Sequence, residues 1–160
     1  MLDLACGAGR HCRSMAQRGF SLEAVDRDPI PMDWARNETG VHFLRCDLET
    51  EPWPYAADEF AAIVVVRYLH RALLAQLLFS LAPGGVLIYE TFAVGQERFG
   101  RPSNPDFLLR QGELLEWARG KLHVVAFEQG MEKSPAPALL QRICAVRSPT
   151  PSAVFPLIGE

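Results

Sequence analysis

The chain has little lysine and no long apolar run. Only two of its sixteen basic residues are lysines, and the first of them is Lys121. The net charge is −3 and the arginines are scattered, whereas a nucleic-acid surface would gather basic residues on one face. No segment reaches the ~18 consecutive apolar residues of a membrane span. These absences favour a small molecule or another protein as the partner.

The four cysteines form no CxxC pair and have no zinc-finger spacing to histidine, so no metal site is predicted. No export leader precedes Leu2, and together with unpaired cysteines this points to the cytoplasm. A composition of 49% apolar and 22% charged residues is typical of one globular domain. We assign that domain to residues 1–147 and a Pro- and Ser-containing tail to 148–160.

Strands and helices alternate from residue 2 to residue 92. The run "FAAIVVV" is apolar throughout, which is typical of a strand covered on both faces of a parallel sheet. Alternation of this kind predicts βαβ units with right-handed crossovers in a doubly wound sheet. After the first strand, which begins at Leu2, we expect strands at 20–26, 41–47, 60–66 and 86–92, and helices at 8–18, 28–40 and 73–81.

The pattern changes after Phe92. Residues 93–112 show no clear period and predict a long loop, in which "SNPDF" (103–107) forms a turn. A short helix at 113–120 and strands at 122–130 and 138–147 follow. Since the connection between these two strands is too short for a crossover helix, they should form an antiparallel hairpin. The predicted fold is α/β, with a mostly parallel seven-stranded sheet that ends in this hairpin.

A glycine loop, "CGAG", follows the first strand. In such a sheet, ligands bind beyond the carboxyl ends of the strands where the strand order reverses. Gly7 and Gly9 let the backbone approach a ligand, and the next helix aims free N–H groups at an anionic part of it. A phosphate-binding GxxxxGK[ST] is absent, which excludes an ordinary nucleoside triphosphatase. Cys12 stands where GxGxxG needs glycine or alanine, so a nicotinamide-dependent oxidoreductase is only an alternative.

Two acidic residues follow the next two strands. Asp26 comes nineteen residues after Gly7, at the place where a carboxylate accepts hydrogen bonds from ribose hydroxyls. Asp47 ends the third strand, where its carboxylate would accept from an exocyclic amine. These two residues therefore predict a nucleoside cofactor.

The motifs "DLACGAG", "AVDRD", "RCDLE", "FAAIVVVRYL" and "LAPGGVLIYETF", with the closing hairpin, resemble class I S-adenosylmethionine-dependent methyltransferases with a Rossmann-like fold. The resemblance covers residues 2–147. It implies S-adenosylmethionine as cofactor and S-adenosylhomocysteine as product. The cofactor-binding positions that it implies are Asp3, Ala5, Cys6, Gly7, Gly9, Asp26, Arg27, Asp47, Leu48 and Arg67.

Three departures from the family pattern matter. Ala5 replaces the first motif glycine, and Ala61 replaces the usual acidic residue at the start of the fourth strand. Members of the family usually carry one or two helices before the first strand that help to cover the cofactor; we expect this chain to lack that lid, as a late start or a natural short form, and to bind the cofactor weakly. A non-catalytic cofactor-binding or interaction module derived from this fold is therefore the first alternative, ahead of the oxidoreductase.

Acceptor chemistry is expected beside the carboxyl ends of the fourth and fifth strands. The candidate catalytic residues are His70, Tyr68 and Glu90, with His70 as the general base because histidine is the residue type suited to proton transfer near neutral pH. The loop residues Arg98, Arg101 and Arg110 suggest that the acceptor is anionic.

The short helix and the hairpin also resemble tellurite-resistance-type methyltransferases, whose acceptors include chalcogen anions. A metabolite or quinone-type acceptor stays open. The predicted partner is a small molecule, with no nucleic acid and no membrane, and a homodimer is a candidate assembly.

Overall fold

The computed structural model describes residues 1–28 and 40–148, and in these residues seven strands form one mixed sheet. The strand order is β3-β2-β1-β4-β5-β7-β6. The strands are β1 (Leu2–Leu4), β2 (Leu22–Asp26), β3 (Val41–Arg45), β4 (Phe60–Val66), β5 (Leu81–Phe92), β6 (His123–Glu132) and β7 (Ala138–Val146). The helices are α1 (Arg10–Ala16), α2 (Leu74–Ser80) and α3 (Glu113–Ala118), with 3₁₀ turns at Arg71–Leu73, Gln96–Arg98 and Pro105–Phe107.

Strand β1 lies at the centre of the parallel part of the sheet. Leu4 is paired with Val25 on one side and with Val65 on the other. The chain order therefore reverses at β1, and a crevice opens between the carboxyl ends of its neighbours. Strand β7 runs antiparallel to both β5 and β6, as the hairpin prediction required.

Two apolar layers cover the two faces of the sheet. Leu2 and Leu4 pack on one face with residues of α2 and α3, such as Leu77 and Leu114. Successive strand side chains alternate between faces, so Asp3 points to the opposite face, where the Cys12 thiol of α1 donates a hydrogen bond to it. The predicted doubly wound arrangement is confirmed by helices on both faces.

Several element boundaries differ from the prediction by one or more residues, and two of them have a clear physical reason. Helix α1 begins at Arg10 because Gly9 has a φ of 72°, a left-handed conformation that helical residues do not adopt. Strand β5 begins at Leu81, five residues before the predicted start, and its register against β4 shifts between Phe60 and Ala62. The turn "APGG" stays with the sheet because Gly84 N donates to the Arg147 carbonyl at 2.6 Å.

Two predictions fall partly outside the described residues. Outside the described residues lie positions 29–39 of the predicted helix (28–40) and positions 149–160 of the predicted tail (148–160). In the part of the chain that the structure describes, no helix is long and apolar enough to cross a membrane.

Candidate functional site

A cleft of about 710 Å³ opens at the carboxyl ends of β1, β2, β4 and β5. Its volume lies in the range of ~300–1,000 Å³ that is typical of small-molecule sites. Residues 101–107 form the wall that faces the strand ends. The described residues that line the cleft are Ala5, Asp26, Arg27, Asp28, Cys46, Asp47, Leu48, Glu49, Arg67, Tyr68, Leu69, Thr91, Phe92, Arg101, Pro102, Ser103, Asn104 and Phe107.

The glycine loop leaves β1 through three residues in the left-handed region. Gly7 and Gly9 have φ angles of 55° and 72°, and Ala5 has a φ of 54° although it carries a Cβ. The backbone thus keeps a glycine conformation at the position where the family pattern has glycine. A non-glycine residue in this region costs roughly 1–2 kcal/mol, so the sheet and loop contacts around Ala5 must hold it there.

Asp26 joins the glycine loop to the end of β2. Its Oδ2 accepts a hydrogen bond from Gly7 N at 2.9 Å, and its Oδ1 accepts one from Asp28 N at 3.0 Å. A carboxylate has about four acceptor positions, so two stay available to a ligand in the cleft. Asp26 therefore fixes the loop and presents negative charge to the cleft at the same time.

Asp47 begins a tight turn after β3. Its Oδ1 accepts from Glu49 N at 3.0 Å, and its own N–H donates to Glu51 Oε1 at 2.7 Å. Leu48 beside it is buried and lines the cleft. One end of the cleft thus combines carboxylates from β2 and β3 with an apolar surface.

Asp3, Cys6 and Cys12 lie beneath the glycine loop. Asp3 is 2% exposed, and the Cys12 thiol donates to its Oδ2 at 2.9 Å. Burial raises the pKa of Asp3, although the hydrogen bond from Cys12 opposes this shift. The pKa of Cys12 is also raised, first by its hydrogen bond with Cys6 and then by burial. A thiol with a raised pKa is a poor nucleophile, which argues against a chemical role for Cys12. We therefore interpret the cluster as structural support for the glycine loop.

Arg67 stands at the end of β4 with a φ of 60°. Its N–H donates to the Glu90 carbonyl at 2.8 Å, and its guanidinium carbon lies 4.5 Å from the centre of the Phe92 ring. Its guanidinium nitrogens lie 3.5 Å from Glu90 Oε1 and 3.6 Å from Glu132 Oε2. The Arg67 side chain is thus held by two carboxylates and a ring at the edge of the cleft.

Of the three candidate catalytic residues, Tyr68 alone is among the described residues that line the cleft. Tyr68 lines the cleft, and its hydroxyl donates to Glu49 Oε1 at 3.4 Å. Burial, followed by the charge of Glu49, raises the pKa of Tyr68, so its hydroxyl stays protonated near neutral pH. His70 precedes a 3₁₀ turn, and its carbonyl accepts from Leu73 N. Glu90 binds Arg142 Nε at 2.5 Å; the described cleft lining contains neither His70 nor Glu90.

Of the three loop arginines, Arg101 alone is among the described residues that line the cleft. Arg98 Nε donates to the Gly95 carbonyl at 3.3 Å, and its guanidinium lies over the Phe99 ring. Arg110 Nε lies 3.4 Å from Glu113 Oε2. Within residues 1–28 and 40–148, no carboxylate forms an ion pair with the Arg101 guanidinium. Among the described residues, Arg101 is therefore a cleft-lining arginine that has no carboxylate partner.

The wall of the cleft contains residues that the sequence analysis did not assign to a site. "SNPDF" forms the predicted turn, in which Asn104 Oδ1 accepts from Asp106 N at 3.0 Å. Phe107 at the end of this turn is 46% exposed and lines the cleft. A phenylalanine within a polar, turn-forming stretch was the signal available in the sequence. Phe92 at the end of β5 was also missed.

Arg71 and Glu113 hold this wall in place. Arg71 Nε donates to Glu113 Oε1 at 2.6 Å, while its terminal nitrogens donate to the carbonyls of Asp106 at 2.7 Å and Leu108 at 2.8 Å. Burial favours a higher pKa for Glu113, but hydrogen bonds from Arg71 and from Arg110 N outweigh it and lower this pKa to about 2. Arg71, itself held by Glu113, therefore fixes the backbone on both sides of Phe107.

No three His, Cys, Asp or Glu side chains within residues 1–28 and 40–148 are grouped so that they would hold a metal ion. The charged groups of the described cleft are four carboxylates with Arg27 at the end formed by β2 and β3, and Arg67 and Arg101 beside the aromatic side chains of Phe92 and Phe107.

Comparisons with known proteins identify the family of the chain. A family model described as a methyltransferase domain matches residues 1–85, which is more than half of the chain. Malonyl-[acyl-carrier protein] O-methyltransferase of Serratia marcescens is 32% identical over 131 residues, which cover 79% of this chain and 47% of that protein. The tRNA U34 carboxymethyltransferase of Cellvibrio japonicus is 29% identical over 139 residues, covering 74% of this chain and 43% of that protein.

The solved structure of TehB from Haemophilus influenzae shares the fold. It superimposes with a TM-score of 0.73 at 14% identity, over 92% of this chain and 57% of that chain. The predicted fold class and the likeness to the tellurite-resistance type are therefore confirmed at the level of the fold. The chain spans only 25% to 47% of the length of curated relatives that it matches.

Proposed function

The chain belongs to the methyltransferase domain family, and from this premise we propose that it transfers a methyl group from S-adenosylmethionine to a small-molecule acceptor. The family prediction made from the sequence motifs is thereby confirmed. The observation that carries the proposal is the Asp26 carboxylate, which is bonded to Gly7 N at 2.9 Å and still faces the cleft.

The donor set of the cleft fits this cofactor. Asp26 would accept from the ribose hydroxyls, and Asp47 would accept from the adenine amine beside the apolar side chain of Leu48. Ala5 and the backbone of Gly7 and Gly9 would contact the methionine part. Arg27 and the backbone at Arg67 would close the site, while Asp3 and Cys6 act from beneath the loop as positioning residues.

S-adenosylmethionine would supply a methyl group that is bonded to a positively charged sulfur. A lone pair of the acceptor would bond the methyl carbon while the carbon–sulfur bond breaks and its electron pair stays on sulfur, which leaves S-adenosylhomocysteine. The protein's part is to align the acceptor with that carbon and to exclude water. Tyr68 would orient the acceptor by exchanging its hydrogen bond to Glu49 for one to the acceptor, because its raised pKa keeps the hydroxyl protonated and makes it a donor rather than a base.

The acceptor end of the cleft supports an anionic acceptor. Arg101 lines it with no carboxylate partner in the described part of the chain, and a guanidinium binds carboxylates through two parallel hydrogen bonds. Arg98 and Arg110 have other partners, so we propose Arg101 as the acceptor-binding arginine. Roles for His70 and Glu90 in catalysis stay predictions.

The test compares the affinity of the full chain and an Asp26→Asn variant for S-adenosylhomocysteine by calorimetry. Loss of a charged hydrogen bond is worth ~1.5–3 kcal/mol, so the variant should bind about 10- to 100-fold more weakly. Glu128→Gln, at a 71% exposed side chain on β6, is the matched control and should leave the affinity unchanged. Equal affinity of both variants would contradict the site assignment, and binding without methyl transfer to any acceptor would favour the non-catalytic alternative.

A further inference from the structure

We propose that the acceptor is a planar aromatic ring that carries an anionic group such as a carboxylate, with Phe107 as the stacking residue and Arg101 as the partner of the anion. This inference rests on the proposed function, because it describes the half of the cleft that the cofactor leaves to the acceptor.

Charge and apolar surface are separated along the cleft. Asp26, Asp28, Asp47 and Glu49 line the end that is formed by β2 and β3. The other end is lined by Arg101 and by the aromatic side chains Phe92 and Phe107, and Tyr68 joins the two ends because its hydroxyl donates to Glu49. A ligand at that end meets aromatic surface and positive charge together, which suits an aromatic anion better than a sugar or a cation.

Phe107 is exposed but fixed in position. It is 46% exposed, whereas phenylalanine is usually among the more buried residue types. Its N–H donates to the Asn104 carbonyl at 3.0 Å, and Arg71 binds the carbonyls of the residues on either side of it. The backbone is therefore ordered before any ligand arrives, so that binding a ring there costs little conformational entropy.

The positive charge at this end is also available. Arg67 lies nearby but is paired with Glu90 and Glu132, and its guanidinium covers Phe92. Arg101 has no carboxylate partner among the described residues, and only its carbonyl takes part in a side-chain hydrogen bond, from Gln96 Nε2 at 3.4 Å. An anionic substituent on the ring would provide the partner that the guanidinium lacks.

The experiment uses three probes of similar size, each titrated into the full chain saturated with S-adenosylhomocysteine. They are 4-hydroxybenzoate, its neutral amide 4-hydroxybenzamide, and the saturated trans-4-hydroxycyclohexanecarboxylate. We expect 4-hydroxybenzoate to bind about tenfold more tightly than either of the other two, since each of these lacks one of the two proposed interactions.

Variants assign the preference to residues. Phe107→Ala should remove the preference for the aromatic over the saturated carboxylate, and Phe107→Trp should retain it. Arg101→Gln should remove the preference for the acid over the amide. Phe99→Ala is the matched control, because Phe99 is 42% exposed in the same loop and lies outside the described cleft lining.

Each outcome of these titrations either supports or overturns the acceptor inference. If S-adenosylhomocysteine itself does not bind, the proposed function fails, and the acceptor inference fails with it. If it binds but 4-hydroxybenzoate does not, or if the saturated acid or the amide binds as tightly, only the acceptor inference is overturned. The same holds if Phe107→Ala has no more effect than Phe99→Ala while both variants keep the wild-type thermal unfolding temperature.

Discussion

Replacing Glu113 with Gln should destabilise the protein in a pH-dependent way. Glu113 has an 8% exposed side chain and binds Arg71 through two hydrogen bonds of 2.6 Å and 3.0 Å. Its pKa of about 2 lies well below the usual value of 4.5. At ~1.36 kcal/mol per pKa unit this shift corresponds to about 3 kcal/mol. Because Arg71 is 37% exposed and partly screened by solvent, we expect a loss of about 2 kcal/mol at pH 7.

The sign of the pH dependence follows from the lowered pKa. A carboxylate whose folded pKa lies below its unfolded pKa contributes stability above the unfolded value and loses it as the pH falls through the folded value. The difference in unfolding free energy between wild type and Glu113→Gln should therefore shrink between about pH 5 and pH 2. At the acid end the protonated carboxyl resembles the amide, so the two proteins should approach equal stability.

Urea unfolding followed by tryptophan fluorescence at a series of pH values measures this difference in free energy. In a thermal unfolding experiment at pH 7, the variant should unfold at a temperature about 4–8 °C lower than wild type. Arg110→Gln is the matched control, because Arg110 pairs with the same carboxylate but has a 75% exposed side chain. It should cost less than about 1 kcal/mol. A pH-independent difference, or an equal cost in the two variants, would refute the reasoning.

Two further predictions concern the glycine loop and the reactivity of the cysteines. Ala5→Gly relieves the strain of a φ of 54°, and after the entropic cost of glycine in the unfolded chain is subtracted it should stabilise the protein by about 0.5–1 kcal/mol in thermal unfolding. The control Ala16→Gly in α1 should destabilise the protein. An unchanged or lower melting temperature for Ala5→Gly would show that the position carries no strain. In the folded protein at pH 8 a thiol reagent should modify the half-buried Cys144 first, while the buried Cys12 reacts only after unfolding, and rapid modification of Cys12 would contradict its buried, hydrogen-bonded state.

The sequence was most informative where local pattern and burial coincide. The run at 60–66 coincides with β4, because a strand covered on both faces must be apolar at every position. Asp26 was found through its distance from the glycine loop, since consecutive βα units place such a carboxylate at the same edge of the sheet. In both cases the information lies within one or two adjacent elements.

The parts that were missed depend on contacts between distant residues. Strand β5 begins early because Gly84 and Gly85 exchange hydrogen bonds with Arg147, more than sixty residues away. The cleft wall depends on Arg71 and Glu113, which are forty-two residues apart and follow no local pattern. For the same reason the sequence did not separate Arg101 from Arg98 and Arg110, since only the structure shows that the other two have partners.

The most direct test of the central claim is a calorimetric titration of the wild-type chain with S-adenosylhomocysteine, with NADH as the comparison ligand. The account predicts saturable one-to-one binding of S-adenosylhomocysteine and no binding of NADH, because Cys12 replaces a small residue of the dinucleotide pattern. Binding of NADH alone, or of neither ligand, would contradict it.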